Sequence, residues 1–311
     1  MKIDPVSLRL FLAVSELGTI AGAAQREHIS ASAVSKRISD LEGALRTQLL
    51  DRSNKGIVPT PAGIALQNLS RGIVNDLDNV ATMMQDYASG TRGLVRIYAN
   101  VSSIAQFLPA DLHGFIEKYP EVQLQLEERI STAIVRGVAE NAADIGCFAD
   151  LGTASHEVIT LPYREDELVV VVATGHALAR RKRVAAPELL DHFLIGLQTG
   201  SYINMQLLRV AGELGVPVKF RMQVNSYDAV CLMVESDMGI GILPISLARR
   251  YAKTLRIRVV GLDAPWALRK LNLCIRSYEG LPVAARQLVD HLCPSAPAIV
   301  AGATRARDRP A

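Results

Sequence analysis

Apolar residues in the first part of the chain recur at helical spacing and predict a group of short helices. Val34, Ile38, Leu41 and Leu45 follow one another at intervals of four, three and four residues, which places them on one face of a helix. Ser30 precedes this helix as an N-cap, because its hydroxyl can accept a backbone N–H of the first turn. A turn and a shorter, alanine-rich helix come before it, so the pattern predicts two helices joined at an angle.

The opposite face of the second helix carries hydroxyls and cations and no apolar residue: Ser32, Ser35, Lys36, Arg37 and Ser39. Such a face suits a recognition helix in the major groove of DNA, where hydroxyls meet base edges and cations meet phosphates. Two amphipathic helices packed inside any all-α domain explain the same spacing equally well.

A long helix follows Thr60 and Pro61, which form an N-cap and a proline at the first helical position. Its apolar residues recur at intervals of three and four: Leu66, Leu69, Ile73, Leu77, Val80 and Met84. A seam of this period predicts pairing with a second copy of the helix, and the alternative is a surface helix packed on its own chain. Residues 89–93, SGTRG, break the helix and mark a domain boundary.

After the boundary the pattern alternates between strands and helices. Strands are expected at 94–99, 122–126, 144–148, 168–172, 193–197, 219–224, 240–243, 255–260 and 271–276. Helices are expected at 109–118, 132–141, 202–214, 226–235 and 282–293. Alternation of this kind predicts a mostly parallel sheet covered on both faces.

Polar clusters follow several of these strands, at 100–103, 131–132, 198–201 and 225–226. In open α/β sheets, ligands bind where strand C-termini meet helix N-termini, because N–H groups there are unpaired. N-capping explains each serine taken singly, whereas four clusters meeting at one crevice predict a ligand site. The clusters contain no Lys or Arg, which favours a small carboxylate held by neutral donors.

Length and composition limit the number of domains and the class of protein. A chain of 311 residues suggests two or three domains, and 49% hydrophobic with 21% charged residues is typical of a globular protein. No apolar run is long enough to span a membrane, and Asp4 and Pro5 stand where a secretory signal would be basic, so we expect a cytoplasmic protein. The net charge of +3 is weak evidence for a nucleic-acid partner.

The sequence contains no pattern for covalent chemistry. It has no HExxH, GxSxG, Walker or GxGxxG motif, and its six histidines are scattered, so we expect no enzyme, metal site or cofactor. Four separated cysteines predict buried thiols, with a redox switch as the alternative. The basic run at 180–183 is interpreted as a solvated turn, although contact with DNA or a neighbouring subunit also fits it.

One run, LRLFLAVSELGT…AGAAQREHISASAVSKRISDLEGAL…LLDRSNKGIVPTPAG, closely resembles the N-terminal domain of LysR-type transcriptional regulators. The order of strands and helices beyond Leu94 resembles the effector-binding domain of that family, which has the two-lobed α/β fold of periplasmic solute-binding proteins. The resemblance covers about residues 1–295. It leaves 296–311, rich in Ala, Pro and Arg, as an expected disordered tail.

The resemblance implies a multidomain α/β protein with three parts. These are a winged helix-turn-helix at 1–60, a dimerisation helix at 61–90 and an effector-binding domain at 92–295. Within the last part, the two lobes are expected at about 92–163 plus 271–295, and at 164–270.

Site residues follow from the same resemblance. The residues expected to contact DNA are Ser30, Ser32, Ala33, Ser35, Lys36, Arg37, Arg52, Asn54 and Lys55, the last three on a wing, with a solvated loop as the less favoured alternative. The residues expected to contact the effector are Ser102, Ser103, Ser131, Phe148, Thr199, Gly200, Ser201 and Asn225. The dimer seam is expected to use the six apolar residues of the long helix.

The function implied is a regulator whose operator binding responds to a small-molecule effector. Its expected partners are double-stranded DNA with an inverted repeat, the effector, and further copies of the chain as a dimer or a dimer of dimers, with RNA polymerase as another candidate. The competing hypothesis is a small-molecule-binding or catalytic α/β protein with a helical N-terminus that does not bind DNA. That hypothesis leaves the first 60 residues unexplained.

Three residues depart from the family pattern. Glu27 lies where the turn is usually apolar, so either the turn packs differently or the carboxylate finds a cation. Ala31 replaces a frequent glutamine, which removes an amide that could read adenine. Arg46 replaces a frequent glycine after the recognition helix.

Overall fold

The computed structural model describes residues 3–53, 56–89, 93–150, 152 and 157–307. The chain divides into two compact units, the first comprising Met1–Gly90 with Ala139–Ala142 and the second comprising Thr91–Val138 with Ala143–Ala311. Over the described ranges, no helix is both long enough and apolar enough to cross a membrane.

The first unit contains three short helices, a hairpin and a long helix. Their bounds are α1 Pro5–Leu17, α2 Ile20–Arg26, α3 Ala31–Leu45, β1 Leu50–Ser53, β2 Gly56–Pro59 and α4 Pro61–Ser89. The β1 and β2 strands pair antiparallel, and this hairpin occupies the position of the predicted wing. Leu10, Phe11, Val34 and Ile38 are fully or almost fully buried in the core of the unit.

Local caps fix where these helices begin and end. The Ser30 hydroxyl accepts the Ala33 N–H at 3.2 Å, and the Thr60 hydroxyl accepts the Gly63 N–H at 3.1 Å. Gly18 ends α1 at φ +67°, a left-handed conformation that glycine adopts without steric cost. Both predicted N-caps are confirmed.

The second unit contains ten strands, listed in chain order: β3 Gly93–Ala99, β4 Val122–Glu128, β5 Ile145–Ala149, β6 Ile159–Ala173, β7 Arg183–Ala185, β8 Leu194–Leu197, β9 Phe220–Val224, β10 Ile240–Pro244, β11 Ile257–Asp263 and β12 Leu268–Ile275. Its α-helices are α5 Val101–Gln106, α6 Leu108–Lys118, α7 Ser131–Ala139, α8 Tyr202–Leu214, α9 Tyr227–Glu235, α10 Ile245–Tyr251, α11 Val283–Leu292 and α12 Ala296–Arg307. Two 3-10 helices lie at Ala177–Arg180 and Ala186–Asp191.

Two lobes share strand β6. Its first half pairs with β12 in the order β4-β3-β5-β12-β6, and its second half lies between β10 and β11. The β6 strand therefore enters the second lobe near Leu168, and β12 returns near Leu268, each within four residues of the predicted lobe boundaries. The antiparallel pairs of this unit all involve β6 or β12, so the sheet is mixed rather than mostly parallel.

The predicted disorder of the tail is wrong as far as residue 307. Residues 296–307 form α12, and Ala296 and Val300 are buried against the core of the second unit. This segment is helical because alanine favours helix and small apolar residues at a spacing of four pack on one face. All four cysteines are free and buried, as predicted.

Candidate functional site

The α3 helix presents the polar face predicted for a recognition helix. Val34, Ile38 and Leu41 are buried beneath it, while Ser32 and Lys36 are exposed. The Glu42 carboxylate accepts the N–H groups of two residues at the start of the hairpin, at 2.8 and 3.1 Å, and so ties the end of α3 to β1. The helix is held by its buried face and its two ends, which leaves the polar face open to a ligand.

The cations of this surface differ in their partners. The Arg37 guanidinium donates to the Asp4 carboxylate at 3.2 Å, whereas Lys36 makes no salt bridge to any described residue. Arg52 is exposed on β1. Of the other predicted contacts, Ser30 is exposed and Ala33 and Ser35 are half-buried on α3, while Asn54 and Lys55 lie outside the described residues.

Two of the three unusual residues have a structural explanation. Glu27 forms an ion pair with Arg26, whose side chain donates to Glu27 at 3.2 Å and to Glu16 at 2.9 Å. Arg46 adopts φ +52° at the C-cap of α3, the left-handed conformation for which glycine is favoured. Ala31 is exposed at the start of α3 and offers no hydrogen bond from its side chain.

The α4 helix leaves an apolar stripe exposed in the single chain. Leu69, Ile73, Leu77, Val80 and Met84 have 42–69% of their surface exposed. Leu66, predicted for the same seam, is half-buried and packs with Leu8, Leu12 and Val74 of its own unit. One face of α4 therefore packs on its own chain, and Leu69, Ile73, Val80 and Met84 form an exposed apolar stripe beside that face. Leu77 lies at the margin of the stripe, where it lines a groove with α1.

A crevice between the lobes of the second unit brings together three of the predicted serines. Ser102 and Ser131 come from the first lobe and Ser201 from the second, and all three are buried. The Ser131 hydroxyl accepts the Ala149 N–H at 3.2 Å, and the Ser201 hydroxyl accepts the Asn204 N–H at 3.4 Å as the N-cap of α8. The crevice is partly open to solvent, and the space inside it is ≈ 20 Å³.

Five other predicted residues do not line this crevice. Ser103 lies in α5 and Phe148 lies within β5, and both are buried. Thr199 is exposed and its hydroxyl bonds Gln223 at 3.0 Å, Asn225 is exposed, and Gly200 is half-buried close to Ile130. The sequence placed the loops correctly, but it could not tell which residue of each loop turns inward.

The expectation that the crevice carries no arginine is wrong. Arg129 lines it from the loop before α7, and Arg269 lines it from β12. The Arg269 side chain is buried and donates to Asp166 from Nε at 2.5 Å and from Nη2 at 2.7 Å. Burial is the largest single effect and lowers the pKa of Arg269, but the hydrogen bond and charge of Asp166 together with Tyr227 outweigh it, and the net result is a raised pKa.

Hydroxyl groups surround this arginine. Arg269 Nη2 also donates to the Ser102 hydroxyl at 2.7 Å, and that hydroxyl lies 2.8 Å from the hydroxyl of Tyr227. Burial raises the pKa of Tyr227, so its hydroxyl stays protonated and can donate. The Tyr202 ring packs against the guanidinium, with its centroid 5.4 Å away. The crevice thus offers several convergent donors around one buried cation.

The strand topology, once known, indicates that Arg269 lies on the floor of the crevice. The two strands that pass between lobes must cross the crevice, so their residues at the crossing form its floor. Asp166 and Arg269 lie opposite each other there in the register of β6 and β12. The sequence prediction began the last strand at Leu271, two residues after the crossing.

A helix-turn-helix unit joined to a two-lobed α/β unit with a polar crevice defines a DNA-binding protein that responds to a ligand. Two family models match the chain. Residues 6–64 match the bacterial regulatory helix-turn-helix protein of the lysR family, and residues 88–295 match the LysR substrate binding domain. The chain belongs to the LysR family of transcriptional regulators.

Relatives and solved structures agree with that assignment. The chain is 27% identical over 90% of its length to a probable hydrogen peroxide-inducible genes activator of Mycobacterium avium, 90% of which is covered. It is 24% identical over 92% of its length to the RuBisCO operon transcriptional regulator of Allochromatium vinosum, 94% of which is covered. Its fold matches CbnR, a LysR family regulator, with a TM-score of 0.67 and 18% identity over 93% of this chain and 98% of that one.

CbnR has also been solved at full length with its target DNA, and that structure matches with a TM-score of 0.65 and 20% identity over 93% of this chain and 99% of that one. The protein is therefore a DNA-binding transcriptional regulator whose second unit is an effector-binding domain.

Proposed function

We propose that the crevice binds a small carboxylate, and that its occupancy changes how paired copies of the first unit meet an inverted-repeat operator. The buried guanidinium of Arg269 carries this proposal. A cation in a water-poor site attracts an anion more strongly than one at the surface, and guanidinium groups match the geometry of carboxylates.

The neutral donors around Arg269 support the same ligand class. Ser102, Ser131 and Tyr227 offer hydroxyls, and α7 and α8 both begin at the crevice, where their unpaired N–H groups favour negative charge. Asp166 already neutralises the single charge of Arg269, so the pair stabilises a further negative charge through its remaining N–H donors and less strongly than an unpaired cation would. A ligand with a single negative charge therefore fits better than a phosphate with two.

The size of the crevice limits how the ligand enters. A volume of about 10–15 Å³ holds one water, so the ≈ 20 Å³ seen here has no room for an organic acid. Binding therefore requires the lobes to separate at the contacts that cross the crevice. A ligand that prefers the separated arrangement shifts the population toward it by its difference in affinity.

The cysteines argue against a response through thiol oxidation, although one relative is named a hydrogen peroxide-inducible activator. None of the four lines the crevice, and burial raises the pKa of Cys147 and of Cys231 to about 12. Oxidation starts from an accessible thiolate, which these sites suppress. We therefore propose reversible ligand binding without a catalytic step, in the cytoplasm where the DNA is.

Pairing of the chain through α4 belongs to the same proposal. The exposed stripe of α4 repeats at intervals of three and four, as in helices that pair with their own copy. An inverted-repeat operator requires two recognition helices related by a twofold axis, which a dimer supplies.

A thermal-shift panel that pairs each small carboxylate with its uncharged primary amide tests the ligand class. We expect only the acids to raise the melting temperature of the second unit, since a ligand at 100 times its dissociation constant stabilises a fold by about 2.7 kcal/mol. Equal shifts from an acid and its amide, or a response confined to cations, would contradict the proposal.

A further inference from the structure

The second lobe carries a dense group of cations that the effector site does not use. Residues 174–187 and 245–262 contain nine Lys or Arg and no Asp or Glu. All nine are exposed: Arg180, Arg181, Lys182, Arg183, Arg249, Arg250, Lys253, Arg256 and Arg258. The chain as a whole has 34 Lys and Arg against 31 Asp and Glu, so without these nine it would be net acidic.

The fold joins the two segments into one surface, which we call the basic edge. The β7 strand runs parallel to β11 and pairs Arg183 with Gly261. The Thr174 N–H donates to the Arg256 carbonyl at 3.1 Å, which places the start of the first segment beside the start of β11. The α10 helix contacts β11 and is joined to it by residues 252–256, which places its cations near the same edge.

Gly261 gives the Arg183 side chain room to lie across β11. A Cβ atom at this position would lie 2.9 Å from Arg183 Cγ and 3.3 Å from its Nε. The stem of Arg183 therefore rests on the backbone of the neighbouring strand, which leaves its guanidinium at the exposed edge.

Few acids neutralise the basic edge. Arg181 pairs with Glu188 at 3.2 Å, and Arg256 lies 3.7 Å from Glu235. Within the described part of the chain, the other seven cations make no salt bridge. A concentration of unpaired cations on one surface produces a positive potential that attracts polyanions.

We propose that the basic edge binds the phosphate backbone of duplex DNA, as a second contact besides the helix-turn-helix. The described residues of both segments include no large hydrophobic side chain among the exposed ones, whereas protein interfaces rely on apolar and aromatic anchors. Contacts with DNA phosphates require only a high density of Lys and Arg side chains on the protein surface. Because both units are in one chain, DNA held by the first unit is present at high effective concentration for the second.

The test compares two full-length quadruple variants that lose the same charge. The first is Arg180→Gln, Lys182→Gln, Lys253→Gln and Arg258→Gln. The control is Lys118→Gln, Lys219→Gln, Arg209→Gln and Arg221→Gln, four exposed cations elsewhere in the same unit. Fluorescence anisotropy with a mixed-sequence duplex of about 60 base pairs gives the dissociation constant from about 50 to 200 mM KCl.

We expect the slope of log affinity against log salt to become shallower by about 3 to 4 in the basic-edge variant, since each lost phosphate contact contributes about 0.9. The control should keep the slope of the unmodified protein. Equal losses in both variants would mean a general charge effect, and no loss in either would mean that DNA does not reach this surface. An unchanged DNA slope with lost binding to poly-glutamate would assign the basic edge to an acidic protein. Each of these three results overturns the proposal.

Discussion

The hydroxyl of Tyr227 lies 2.8 Å from the hydroxyl of Ser102, so α9 of the second lobe touches α5 of the first across the crevice. A second bond crosses nearby, where the Ser246 hydroxyl donates to Gln106 Oε1 at 2.5 Å. Gln106 in turn donates to Asp166 at 2.7 Å. The contacts that hold the lobes together are therefore connected to the ion pair at the floor of the crevice.

Ser102→Ala should weaken effector binding about tenfold or more, because once Ser102 and Tyr227 part, the freed Ser102 hydroxyl is a donor to the ligand, and we expect its loss to outweigh the easier separation of the lobes. Isothermal calorimetry with the carboxylate found by the thermal-shift panel measures the change. Thr199→Ala is the matched control, since its hydroxyl is exposed and bonds only Gln223. Equal losses in the two variants would place the ligand nearer the surface loop than the crevice.

Arg269→Met should destabilise the second unit by about 3–5 kcal/mol, because it leaves the Asp166 carboxylate buried without its cation. Adding Asp166→Leu should restore part of this stability, since no uncompensated charge then remains. Urea unfolding followed by circular dichroism measures both. A double variant less stable than Arg269→Met would show that the hydrogen bonds, rather than the charges, hold this site.

Arg37→Ala should weaken operator binding by about 1–3 kcal/mol if its guanidinium reads a guanine. The Asp4–Arg37 contact is exposed, so breaking it costs at most about 1 kcal/mol and does not prevent Arg37 from reaching DNA. Lys36→Ala should instead reduce the salt slope by about 1. Arg9→Ala, an exposed cation on α1, is the control and should bind as the unmodified protein does. Unchanged affinity and salt slope in both α3 variants would exclude α3 as the reading helix.

Ile73→Glu should split the dimer, because it puts an unpaired charge into the apolar seam of α4. Ile64 is equally exposed on the same helix but lies nine residues away, on the opposite face, so Ile64→Glu is the control. Light scattering gives the mass of each variant. A dimeric Ile73→Glu would remove this stripe from the interface.

Arg46→Gly should raise the free energy of unfolding of the first unit by about 1 kcal/mol, because glycine adopts φ +52° without a clash between Cβ and the backbone. Arg46→Ala keeps the Cβ atom and should give no such gain. Urea unfolding distinguishes the two, and a gain in both variants would point to charge rather than backbone conformation.

The helix-turn-helix was predictable because each of its elements carries its own local signal. The apolar spacing from Val34 to Leu41, the Ser30 cap and the Thr60–Pro61 cap all lie within a few residues of the structure they specify. Strand β6 shows the opposite case, since its first half includes Pro162 and several charged residues and has no β pattern of its own. Pairing with β12 makes it a strand, and that partner is about 100 residues away in sequence.

The lining of the crevice was half predictable for the same reason. Loops after strands are visible in the sequence, so Ser102, Ser131 and Ser201 were found. Arg269 and Tyr227 meet Ser102 only through tertiary structure, across 167 and 125 residues, and no local pattern marks them.

Under the proposed function, the small volume of the crevice also limits how quickly the regulator responds to its effector. With room for about one water, the site admits no organic acid until Ser102 and Tyr227 part. The observed rate of association should therefore rise with effector concentration only until it equals the rate at which the lobes part. Above that concentration, the time that effector binding takes is set by the rate at which the two lobes separate, and it no longer depends on the effector concentration.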